Sequence, residues 1–146
     1  MKIDWKHLYH GAALTQITEH ESFKALNKAD DKYGHYLVNT DRRLLAKHSE
    51  KEESDWSFTF QTSDVAILKG DFDSGFTTFV VLICGAVTIC LLDRAQIEQI
   101  LDIEADFQQW VKVSIPKPRA SMWVSGSKGK LTNAVSHKGF PDRVFE

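Results

Sequence analysis

Six histidines, two acid-x-lysine triplets and one lysine-rich glycine turn are where this sequence could do chemistry. His7 and His10 would share one face of a helix near the N-terminus, while His20, His35, His48 and His137 are scattered along the chain. A zinc site needs three or four converging ligands at regular spacing, and no HExxH or CxxC pattern accompanies these residues. They read as surface or interfacial polar positions. The stretch Asp71-Phe72-Asp73-Ser74-Gly75 has alternate carboxylates like the start of a calcium loop. The chain then enters an apolar segment where such a loop would supply more oxygen ligands, so this stretch reads as a solvated turn.

A nuclease that combines an upstream acid with an Asp or Glu two residues before a lysine would carry that triplet at the end of a core strand. The two triplets, Asp4-Trp5-Lys6 and Asp30-Asp31-Lys32, fall at the terminus and in a turn. What remains for that chemistry is a degenerate arrangement of Glu19, Lys47 and Asp64. The turn Ser125-Gly126-Ser127-Lys128-Gly129-Lys130 offers backbone N–H groups and positive charge. It lacks P-loop spacing, because the residue five before Gly129 is Val124. With Arg119, Lys112, Lys117 and Lys138 nearby, Lys128 and Lys130 make the C-terminal third the most basic part of the chain. That region is the candidate contact for an anionic partner. Neither a GxSxG elbow nor a GxGxxG fingerprint occurs, and the sequence assigns no catalytic, cofactor-binding or metal-ligating residue.

The elements that must position these groups centre on residues 76–93, FTTFVVLICGAVTICLLD. A transmembrane helix needs about 20 unbroken apolar residues. Gly85 interrupts this run, and its Val, Ile, Thr and Phe content favours strands. It reads as a buried hairpin turning at Gly85-Ala86, with Val81 opposite Cys90 and the two cysteine sulfurs about 10 Å apart, beyond disulfide reach. Residues 5–26 carry Leu8, Ala12, Ile17, Phe23 and Leu26 at helical spacing, as one helix or two. Residues 35–39 and 43–48 read as a second hairpin, 56–60 as a half-buried strand, and 62–68 as a short helix closed by Gly70. Asp93 is an N-cap for a helix over 94–101. Residues 110–115 alternate like an edge strand stopped by Pro116 and Pro118, and 121–125 form a last strand.

The expected fold is a single α+β domain over residues 1–146. A mostly antiparallel central sheet, with strands around Phe58, Val81, Ile89 and Val113, would be covered by the N-terminal helix and one or two others. A chain of 146 residues with 42% hydrophobic and 11% aromatic content can bury a full core. Its formal charge of -2 provides no global basic field for nucleic acid. Cysteines without a pairing register and an N-terminus too polar for a signal peptide point to a reducing cytoplasm and no membrane. A full core without a coherent catalytic set points to a non-catalytic protein-interaction module. The expected class is an immunity or inhibitor protein or a defence-system accessory of a prokaryotic cytoplasm. The alternative is a degenerate metal-dependent nuclease or other nucleic-acid hydrolase.

Overall fold

All of residues 78–84 are buried, as an unbroken apolar run requires, since a strand of that composition must be covered on both faces. The computed structural model describes residues 1–146. In chain order the elements are α1 (Trp5–Glu19), β1 (Leu26–Lys28), β2 (His35–Val38), β3 (Arg42–Ser49) and β4 (Trp56–Phe60), followed by α2 (Thr62–Asp73), β5 (Thr77–Cys84) and β6 (Thr88–Leu92). Then come α3 (Arg94–Ile100), β7 (Gln109–Ser114), β8 (Trp123–Gly126) and two 3-10 turns, His137–Gly139 and Asp142–Phe145. The fold is α+β and its pairings are mostly antiparallel. One sheet has the order β1-β2-β3-β5-β6 and the other β4-β7-β8. The exception to antiparallel pairing is β3 beside β5, parallel from Arg42 opposite Thr77 to Ser49 opposite Cys84.

Two sheets replace the single one expected. Both edges of β3 are taken, by β2 and β5, so the next strand β4 turns away and pairs with β7. Phe58 and Val113 therefore lie in the second sheet, apart from Val81 and Ile89. β7 is its central strand rather than an edge, flanked by β4 and β8. Alternation along β5 divides the core. Val80, Leu82 and Cys84 face the second sheet, α2 and α3, whereas Phe79, Val81 and Ile83 pack with Ala13 and Ile17 of α1 and with Phe140 and Val144. No helix is long and apolar enough to cross a membrane.

Local expectations shift in physically informative ways. α1 ends at Glu19 and Leu26 belongs to a strand, because the Asn39 side chain accepts from the Lys24 and Ala25 N–H groups (2.8 and 3.3 Å) and holds that segment extended. α2 passes Gly70 and ends at Asp73, so Asp71 sits in a helix and is buried rather than in a solvated turn. The β5-β6 turn takes in Gly85, Ala86 and Val87, with the Val87 N–H on the Cys84 carbonyl at 3.1 Å. Leu82, not Val81, then faces Cys90. Gly85 is fixed there by φ 55° and by the Lys51 carbonyl oxygen, which would lie 2.3 Å from any Cβ. Both cysteines are free and buried, and burial pushes the Cys84 thiol up to about 12.

Candidate functional site

The structure brings Lys47 and Asp64 together and leaves Glu19 apart. Asp64, 1% exposed, accepts the Gln61 N–H at 2.9 Å at the start of α2 and meets Lys47 Nζ at 2.9 Å and Lys32 Nζ at 3.3 Å. Burial alone would raise its carboxyl, but Lys47, the Gln61 N–H and Lys32 outweigh burial and hold it below its ordinary value. Its charge is already matched. Glu19 is exposed and lies about 13 Å further along α1 than His10, beyond reach of Lys47. The acid-x-lysine residues are likewise occupied. Lys6 Nζ lies 4.5 Å over the Tyr33 ring, Lys32 meets Asp64, and Asp30 lies 3.0 Å from the His35 ring. No three His, Cys, Asp or Glu side chains converge as metal ligands.

A second cluster was not legible in the sequence. The buried stripe of α1 is His10, Ala13 and Ile17, whereas Leu8 is 51% exposed. His10 therefore points at the sheet. Its Nε2 is 3.2 Å from His48 Nδ1, its Nδ1 is 3.4 Å from the Tyr36 hydroxyl, and His48 Nε2 is 3.4 Å from Glu50 Oε2. Beside them a cleft of about 280 Å3 is lined by Tyr33, Lys47, Ser57 and Thr59. Burial first, then the positive charge of His48, Lys47 and Lys6, lowers the His10 imidazole to about 4. It is neutral near pH 7 and stands in a side-chain chain that runs from Tyr36 through His10 and His48 to Glu50.

The next cavity along α1 has different chemistry. Trp5 and Tyr9 are one helical turn apart and so share a face, their rings 6.2 Å apart. They form one wall of a cavity of about 400 Å3 whose other residues are Glu50, Glu52 and Ala86. The loop after β3 supplies the carboxylates, and the β5-β6 turn supplies Ala86. Trp5 is 59% exposed, and Ile3 and Leu8, near it in the chain, are 74% and 51% exposed. His48 stacks on Tyr9 at 5.3 Å, so this cavity and the histidine cleft share a wall.

The basic turn is divided between two places. Lys128 Nζ donates to the Glu98 carbonyl at 2.9 Å, on α3. Lys130 instead lines a cavity of about 370 Å3 with Lys112 and Trp123, and the Arg119 guanidinium lies 4.9 Å over the Trp123 ring. Of the three residues expected to meet an anionic partner, Arg119 and Lys130 are together and Lys128 is turned elsewhere.

Comparison with protein-family models, curated proteins and solved structures found no match. The functional reading rests on the geometry alone.

Proposed function

We propose that this protein is a non-catalytic protein-interaction module of the immunity, inhibitor or accessory-subunit kind. On this reading it holds its partner by a lysine or arginine side chain seated in the Trp5, Tyr9, Glu50 and Glu52 cavity. One observation carries this: the Trp5 and Tyr9 rings and two carboxylates line a single open cavity. Ring faces attract cations, carboxylates neutralise them, and neither favours an anion. The exposed Ile3 and Leu8, near Trp5 in the chain, offer apolar surface to the surroundings of such an anchor.

Titration with N-acetyl-arginine amide and a tri-arginine peptide, followed by the Trp5 indole NMR resonance, tests the reading. Binding is expected, weakened about tenfold by Trp5→Ala or by Glu50→Gln with Glu52→Gln. A Trp5 resonance unmoved by either probe would overturn it. The contact of Lys47 with Asp64 beside the His10 and His48 cleft favours a second reading, a nucleic-acid hydrolase. Cleavage of RNA or DNA by purified protein with magnesium, manganese or a chelator, abolished by His10→Asn in a folded variant, would replace the interaction reading.

A further inference from the structure

The outer face of the β4-β7-β8 sheet carries side chains for which the core has no use. Alternation turns Phe58, Val111, Val113 and Val124 inward and leaves the intervening residues outward. Pairing then sets Thr59 beside Trp110 and Ser57 beside Lys112 on one side of β7. On the other side, Ser125 lies beside Lys112 and Trp123 beside Ser114. Trp110 is 47% exposed, and Lys112 has only a long contact to Asp55, 3.7 Å. A bridge to Ser125 brings Lys130 to the same face, where the cavity of about 370 Å3 lies between Lys112, Trp123 and Lys130.

Rings, cations and hydroxyls thus alternate over one open sheet. We propose that this face binds single-stranded nucleic acid, with one base on Trp110, another on the stacked Arg119 and Trp123 pair, and phosphates at Lys112 and Lys130. Trp110 lies opposite Thr59 near one end of β7 and Trp123 opposite Ser114 at the other. The two platforms are therefore separated by about 13 Å along the strand, far enough to hold two bases rather than one. Stacking on a tryptophan or on a guanidinium plane requires an unstacked base, which a duplex does not offer. A partner protein fits less well, because lysines are depleted from the centres of such interfaces. The chain's formal charge of -2 means that attraction comes from this local patch alone, so affinity should be modest and strongly salt-dependent.

Fluorescence anisotropy with labelled oligo(U) and oligo(dT) decamers at 50 and 200 mM salt tests the proposal, with polyphosphate and a DNA duplex as competitors. Micromolar binding that falls with salt is expected. Trp110→Ala should weaken it about tenfold, Trp110→Phe should restore most of it, and Lys112→Glu with Lys130→Glu should flatten the salt dependence. Trp5→Ala should leave it unchanged, which separates this site from the cation cavity. Three outcomes would each overturn the proposal: no binding at 100 µM protein in 50 mM salt, binding insensitive to Trp110→Ala in a folded variant, or polyphosphate competing as well as the oligonucleotides.

Discussion

Replacing His35 by glutamine should destabilise the fold by about 1.5 to 3 kcal/mol, the usual cost of removing a hydrogen bond to a charged group that keeps another partner. The His35 side chain is 3% exposed, with Nε2 2.7 Å from Asp71 Oδ2 and Nδ1 3.0 Å from Asp30 Oδ2. The Asp71 contact is a directed hydrogen bond, while the Asp30 contact is close but poorly aligned and acts through charge. Without the imidazole, the buried Asp71 carboxylate keeps only Arg43 NH1 at 3.3 Å. At about 2 to 4 °C per kcal/mol for a domain of this size, the melting temperature should fall by about 3 to 12 °C. The pH dependence has a definite sign. Burial would lower the His35 pKa, but the Asp71 hydrogen bond and the charges of Asp71 and Asp30 outweigh burial and raise it. Its contribution is complete below the unfolded value of about 6.5 and is lost as pH rises through the raised folded value. His10 acts in the opposite direction. Lowered to about 4, it costs stability as pH falls below about 6.5, where the unfolded chain takes up a proton that the fold refuses. The informative quantity is therefore the difference between wild type and His35→Gln in urea unfolding from pH 5 to 9, which should be largest at acid pH and shrink above neutrality. A melting temperature within about 1 °C of wild type, or a difference that grows with pH, would refute the argument.

Leu82→Ala removes a side chain that is 0% exposed in the larger core and should cost about 2 to 5 kcal/mol. Ile89→Ala, at a half-buried position, should cost clearly less, and equal urea midpoints would show that β6 is as deeply placed as β5. Gly85→Ala meets both the φ of 55° and the Lys51 carbonyl oxygen and should lose more than about 1 kcal/mol. An unchanged unfolding midpoint would mean that the turn relaxes without loss.

Residues 76–93 announced their hairpin because nothing but two covered strands accommodates that composition, and Asp93 announced α3 because its carboxylate accepts the Gln96 N–H at 2.9 Å. The fold class was legible from such local signals. The parallel pairing of β3 with β5 was not, since nothing in either strand's alternation reports which neighbour lies beside it. The division into two sheets follows from that pairing and was hidden with it. Asp71 was misread because a carboxylate next to glycine and serine ordinarily marks a turn, and only the tertiary partners His35 and Arg43 make its burial tolerable. The histidine cleft escaped for a similar reason. His10 and His48 stand 38 positions apart, and the α1 stripe that points His10 inward is offset from the one suggested by Leu8 and Ala12. The basic turn could be recognised as basic, but which of its lysines share a surface depends on the register of β7 and β8.

The parallel pairing also governs when the molecule can fold. Arg42 must wait for Thr77, about 35 residues later in synthesis, which at 5 to 20 residues per second is about 2 to 7 s. Until then the β1-β2-β3 meander leaves β3 with an unsatisfied edge and with Leu44 and Leu45 uncovered on opposite faces. An apolar edge of that kind is a template for pairing with another chain. The nascent protein thus passes through an interval in which its central strand is available to any strand that arrives before its own.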